Sequence, residues 1–347
     1  MSVGAALRRR SGGVLVDHDP EVLQAAAVEV AMSVAGVCGT DLDIIRGDRP
    51  DVASIPGHEG VGLVTGVDHA ITGWKVGERV VFMPVSLADQ DQVLGHSYDG
   101  LWRRHVPVNH QMLRDGLLQR LPRSLDDQLG CLVEPLACVV YAFELLGLES
   151  ACRRVGVVGG GSIGQAAALF AQTRLGAEVC VVEPNPNVAR RIQSMGISCN
   201  PKAFHADAVL LCTPRRSTAA GLKTALAIAA NDAVVDLVSG SDTPLVHHDL
   251  PSPIEAASIR RLHASGALST GVPIRTNSGK ALTFTGHRGA SVDHFQSAMR
   301  VLADGPDPWR ALIGAVFDYR DQTLLDELGH RLSNSLAYDG KLLISFS

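Results

Sequence analysis

The run Arg154-Val155-Gly156-Val157-Val158-Gly159-Gly160-Gly161-Ser162-Ile163-Gly164 decides the fold. A short apolar β run stops at three glycines, and an Ala-rich stretch at 162–175 follows that reads as a helix. Strand, glycine turn and helix are the opening of a βαβ unit. Gly159, Gly161 and Gly164 occupy the glycine positions of GxGxxG, a pattern that carries weight only in this strand-to-helix setting. Gly159 permits the tight turn, Gly161 lets backbone approach a pyrophosphate, and Gly164 lets helix and strand pack closely. Ser162 and Ile163 open the helix, whose N-terminal N–H groups favour an anion. Glu183 stands 19 residues beyond Gly164, at the end of the next β run. A carboxylate there accepts from ribose hydroxyls and repels a 2′-phosphate, so NAD is expected in preference to NADP. Arg190 and Arg191 weaken that preference slightly, since either could reach toward a phosphate.

Outward from this unit, helical and β-favouring runs alternate at 178–182, 187–195, 208–212, 218–230, 233–237 and 281–285. That predicts a doubly wound parallel sheet and an α/β fold. The first 110 residues differ, being rich in Gly and Val. Runs at 60–67 and 79–84 are punctuated by Gly57, Gly62, Gly66, Gly73 and Gly77, the texture of a small, strongly bent β domain. A helix is expected over 291–303 and a β-like tail over 341–347.

Composition narrows the function. The chain has 347 residues, with 31 Lys+Arg against 36 Asp+Glu, and is 46% hydrophobic. A net charge of −5 offers no surplus cation for a phosphate backbone, so neither nucleic acid nor a membrane surface is an expected partner. The apolar run 136–143 is far shorter than the roughly 20 residues of a membrane span. Arg8, Arg9 and Arg10 follow an apolar stretch instead of preceding one, the wrong order for a secretory signal, and a cytoplasmic protein is expected. Seven cysteines without a CxxC pair exclude a disulfide framework and a four-cysteine zinc clip, so any metal needs mixed ligands.

Three separated segments carry such ligands: Gly36-Val37-Cys38-Gly39-Thr40-Asp41, Pro56-Gly57-His58-Glu59-Gly60 and Val133-Glu134-Pro135-Leu136. A thiolate, an imidazole and carboxylates are what a catalytic zinc site uses, with one position left open. Taken singly, Cys38 reads equally as a small core residue and His58 as a hydrogen-bonding one.

These motifs, in this order and followed by GxGxxG, resemble the zinc-dependent medium-chain dehydrogenases, closest to the sorbitol, threonine and glucose dehydrogenase branch. The resemblance covers nearly the whole chain. It implies a GroES-like β-rich catalytic domain, residues 1–139 and 287–347, and a Rossmann NAD-binding domain, residues 140–286, with the active site between them. It also implies one catalytic Zn2+ on Cys38, His58, Glu59 and Glu134, leaving open whether Glu59 or Glu134 ligates at rest. By the same resemblance Asp41 steadies the site, Thr40 passes the substrate proton outward, and Lys341 lies near the pyrophosphate. A homodimer or homotetramer is expected.

The departures from the family are informative. Its four-cysteine structural zinc lobe falls on residues 86–105, which hold no cysteine, so no structural zinc is expected. Asp43 stands where many members end the proton relay in histidine, and His96 is another candidate for that role. The first strand, near 13–17, is degenerate, and residues 100–105 replace the usual strand beside it.

The resemblance implies reversible oxidation of a secondary alcohol to a ketone. Its glutamate-type ligand set, with Asp43, His96, Tyr98, Asp99, His287 and Arg288 as polar candidates, suggests a hydroxyl-rich substrate: a sugar alcohol, sugar, cyclitol or aminocyclitol. Each of those six could equally be a solvated loop residue. A zinc-free quinone- or enoyl-type reductase on this fold would lack Cys38, His58 and Glu134. A non-catalytic NAD-binding protein would show a damaged ligand set or glycine motif.

Overall fold

The computed structural model describes residues 4–10, 13–19, 26–147, 154–201, 203–333 and 340–347. They fall into two units, Met1–Glu134 with Ser291–Ser347, and Pro135–Ala290.

The first unit opens with an antiparallel hairpin of β1 (Gly4–Arg10) and β2 (Gly13–Asp19). The segment whose sequence departs from the family pattern still forms a regular strand, paired along its full length with the arginine-bearing strand before it. Next come β3 (Val28–Gly36), β4 (Gly60–Val67), β5 (Arg79–Phe82), β6 (His105–Val108) and β7 (Leu118–Arg120). Residues from the far end of the chain, β15 (Ile313–Asp318) and β16 (Lys341–Ser345), complete the sheet in the order β15-β16-β3-β4-β5-β7, with β6 also paired to β3. Burial alternates along the first half of β3, with Val28, Val30 and Met32 inward, as in an antiparallel strand wet on one face. Ile55, Phe82, Leu101 and Trp102 fill the core beneath. Residues 100–104 form turns and one isolated bridge, Ala6 to Arg103, so regular strand starts only at His105.

The second unit holds β8 (Arg154–Val158), β9 (Glu178–Val182), β10 (Ser198–Cys199), β11 (Ala206–Leu211), β12 (Ala229–Asp236), β13 (Val272–Arg275) and β14 (Ala281–Thr285). Their order is β10-β9-β8-β11-β12-β14-β13, parallel except for β13 on the edge. The chain starts in mid-sheet at β8, winds out to β10, then crosses back to β11. That reversal is the topological switch point of a doubly wound dinucleotide fold, and ligands bind there at the carboxyl ends of the strands. β8 and β11 are almost continuously buried, as parallel strands covered on both faces are. The covering helix Ser162–Leu175 packs small residues, Ala166 to Ala168, where it meets the sheet. Among the described residues, no helix is long and apolar enough to cross a membrane.

Candidate functional site

In the first unit, β3 ends at Gly36 and the chain turns into the helix Gly39–Arg46, with Cys38 as its N-cap. Cys38 and Asp41 form a capping box: the cap side chain accepts a backbone N–H of the first turn, and the Asp41 carboxylate accepts the Cys38 N–H at 2.8 Å. A thiol is thereby held in one orientation at a helix N-terminus. The fully buried Asp41 carboxylate also accepts the Gly57 N–H at 3.0 Å and lies 3.3 Å from His58 Nδ1. One side chain thus ties both ligand-bearing segments together. Gly57 has φ +95°, and a Cβ there would collide with the Trp102 indole, so only glycine lets the chain turn His58 and Glu59 inward.

The outcome is convergence. Ligand atoms of Cys38, His58 and Glu59 all lie within 4.8 Å of one another, and His58 Nε2 is 3.9 Å from Glu59 Oε1. Soft sulfur, imidazole and a hard carboxylate oxygen, with one direction open, are the donor set of a catalytic zinc. Glu134 is not among the residues that meet there; it lies in the first turn of the helix Val133–Leu145. Thr40 and Asp43 are half-buried on the helix that follows Cys38, and Asp43 is engaged in an ion pair with Arg46.

The electrostatics follow from burial. For Asp41, burial alone would raise the pKa, but His58 and the Cys38 N–H outweigh it and hold the carboxyl below its ordinary value. For His58, burial would favour the neutral ring, yet Asp41 and Cys38 lift its pKa well above the usual imidazole value. His96 stacks edge-on against His58 with ring centroids 5.0 Å apart. Burial, the His58 charge and Arg49 push its pKa down to about 3.

Lys341 has a role that the sequence did not suggest. It is buried in the first unit, on β16 beside β3, with its ammonium paired to Glu59 Oε2. A buried carboxylate needs a countercharge, and Lys341 supplies it. Nothing in the sequence could pair them, because 282 residues separate the two. Asp99 is a brace, accepting the N–H groups of Ser54 and Ile55 at 2.7 and 2.9 Å. The Tyr98 hydroxyl is pushed up to about 12 by burial and by Asp115.

In the second unit the glycine turn lies at the end of β8. Gly159 has φ +102°, and a Cβ on Gly164 would overlap the Gly159 carbonyl, so helix and turn touch backbone to backbone. Gly161 is the N-cap of the helix Ser162–Leu175, and a Cβ there would meet nothing within 4 Å, which leaves open space for a phosphate. Glu183 follows β9, but its carboxylate is already in use: Oε2 accepts the Gly160 N–H and Oε1 the Asn185 N–H, both at 2.7 Å. Each oxygen keeps a second lone pair, so the residue braces the glycine turn and can still accept a further hydrogen bond. Arg190 bonds Asn187 on its own helix.

His287 is buried, not solvated, and tilts against Tyr141 at 4.8 Å. Its backbone carbonyl accepts from Arg260 Nε at 2.9 Å, and the Arg288 N–H donates to the His263 carbonyl. Sequence reading missed Asp236, which sits fully buried at the end of β12, accepts the Thr285 hydroxyl at 2.9 Å, and has its pKa raised to about 6 by burial.

Comparison with known proteins agrees with both halves. Residues 24–115 match the alcohol dehydrogenase GroES-like domain, and residues 141–248 match the NAD-binding domain of the D-isomer specific 2-hydroxyacid dehydrogenases. The chain is thus similar to alcohol dehydrogenases in its first half and to the NAD-binding domain of a dehydrogenase in its second. A relative of this chain, 2-dehydro-3-deoxy-L-galactonate 5-dehydrogenase of Pseudoalteromonas atlantica, is 31% identical over 51% of the chain, and the match spans 55% of that relative's length. Sorbitol dehydrogenase 2 of Saccharomyces cerevisiae is 24% identical over 91% of each chain. The solved 2R,3R-butanediol dehydrogenase of Bacillus subtilis shares the fold at TM-score 0.77 and 20% identity, over 99% of this chain and 100% of the other.

Proposed function

We propose that the protein is a zinc- and NAD-dependent oxidoreductase that interconverts a secondary alcohol and a ketone on a polyhydroxylated substrate: a sugar alcohol, sugar, cyclitol or aminocyclitol. The convergence of Cys38, His58 and Glu59 carries this reading, because three mixed donors on an Asp41-braced scaffold suit a metal with an open position. The names of the relatives, a deoxy-galactonate, a sorbitol and a butanediol dehydrogenase, support the substrate class.

Zinc at such donors supplies Lewis-acid polarisation of an alcohol or carbonyl oxygen, and a nicotinamide supplies the hydride acceptor or donor. The chain's own residues do the rest. Cys38, His58 and Glu59 hold the metal, with Glu134 as a further carboxylate for it. Asp41 keeps Nδ1 of His58 occupied so that Nε2 faces the ligand set. The Thr40 hydroxyl carries the substrate proton outward, toward Asp43. Gly159, Gly161 and Gly164, with the first-turn N–H groups at Ser162 and Ile163, receive the pyrophosphate, and Glu183 receives the ribose. Lys341 holds Glu59 in place. The family resemblance alone supports a cytoplasmic homodimer or homotetramer.

The test is NADH formation over a panel of sugar alcohols, cyclitols and aminocyclitols, before and after zinc chelation. Turnover on one class that chelation abolishes is expected. Turnover that survives full metal removal would assign the protein to the zinc-free reductases.

A further inference from the structure

We propose that His96 is a specificity residue whose Nε2 accepts a hydrogen bond from a substrate hydroxyl on the carbon next to the reacting one. This deepens the polyol reading above and rests on it.

His96 is fixed from two sides by one segment. Its backbone carbonyl accepts the N–H groups of Val52 and Ala53 at 3.0 and 2.9 Å, and its Nδ1 stands 3.5 Å from Asp51 Oδ1. Asp51 is itself gripped by Arg49, through Nε at 2.6 Å and Nη2 at 3.3 Å. The ring then lies edge-on against His58, a proposed metal ligand. At the other end of the imidazole, Nε2 is buried and finds no hydrogen-bond partner among the described residues. A buried polar atom left without a partner is costly, so such an atom beside the proposed metal ligands is placed to meet something.

The neighbours say what that is. With the Asp51 carboxylate on its Nδ1 side, the ring carries its proton there, which leaves Nε2 as a lone-pair acceptor. An acceptor selects a donor, and the donor a polyol brings is a hydroxyl. The His96 side chain is 14% exposed while Nε2 itself is covered, so a ligand meets Nε2 by displacing its cover. It lies outside the three residues whose donor atoms converge, which separates its role from metal binding.

The experiment compares holoenzyme of the wild type, His96→Ala and His96→Gln, the last returning an acceptor at similar reach. Binding of a vicinal diol, and of the matching alcohol lacking the second hydroxyl, is measured by titration calorimetry alongside kcat and KM. Zinc per chain is measured by elemental analysis. Loss of one neutral hydrogen bond predicts that His96→Ala binds the diol about three- to tenfold more weakly, with the simple alcohol and the zinc content unchanged. Partial recovery is expected in His96→Gln. An unchanged preference for diol over simple alcohol in His96→Ala overturns the proposal, and so does a fall in zinc content, which would make His96 a metal ligand. Absence of turnover on any alcohol would sink the function proposed above, while the calorimetric comparison would still decide the role of His96.

Discussion

Asp41 shows how much one residue can hold. It supplies the acceptor for the Cys38 N–H, the acceptor for the Gly57 N–H, and the charge beside His58 Nδ1, all from a site with no solvent exposure. Truncation to Asp41→Ala leaves two buried N–H groups without their acceptor and strips the helix of half its capping box. Caps and buried hydrogen bonds of this kind are each worth about 1–2 kcal/mol, so a loss of ~2–4 kcal/mol in urea unfolding is expected. The same truncation frees the His58 ring to rotate, and loss of such an orienting partner lowers metal affinity by about 10–100-fold. Competition with a chelating dye measures that affinity. An unchanged value would mean that Asp41 braces the fold without orienting the ligand.

At the scale of elements, β12 and β14 carry the charge that the sequence pattern hid. Asp236 and Thr285 end adjacent parallel strands and are paired in register, which brings hydroxyl to carboxylate. Arg260, His263, His287, Tyr141 and Cys212 surround the pair. Burial lifts the Asp236 pKa from the ordinary carboxyl value of 3.8 to about 6. A carboxyl with a raised folded pKa holds its proton in the folded state while the unfolded chain releases it. Stability therefore falls as pH rises from about 4 to about 6, and the whole cost stands above that window. Two pKa units correspond to ~3 kcal/mol. Asp236→Asn, close in shape but uncharged, should match the wild type in thermal stability near pH 4 and exceed it at pH 8. Parallel pH profiles for the two proteins would show that Asp236 stays ionised in the fold.

These elements also mark what was legible beforehand. The stretches 162–175, 178–182 and 281–285 coincide with observed elements, because local periodicity, caps and glycines agree there with the tertiary environment. β13 and β15 escaped notice, and what places them is pairing with strands whose alignment no local pattern encodes. The ligand residues were legible because Cys38 and His58 sit in short motifs. The Lys341–Glu59 pair and the Arg49–Asp51–His96 chain were not, since each is assembled by folding across segments that carry no signal of one another.

For the molecule as a whole, the proposed chemistry is divided between two units, which predicts that each half can be disabled separately. The proposed metal donors Cys38, His58 and Glu59 belong to one unit, the glycine turn and Glu183 to the other, and every hydrogen bond described for either set stays within its own unit. Two substitutions then predict opposite losses. His58→Ala removes a donor without touching β8, so zinc content and turnover should fall while NADH binding, followed by nicotinamide fluorescence, stays near the wild-type value. Gly164→Val drives side-chain atoms into the Gly159 carbonyl, so NADH binding should fall by more than tenfold while zinc content stays at wild-type stoichiometry. Far-ultraviolet circular dichroism checks that both variants remain folded. Loss of zinc and NADH binding together in either folded variant would show that the two sites depend on one another for their structure, and the division of labour would have to be abandoned.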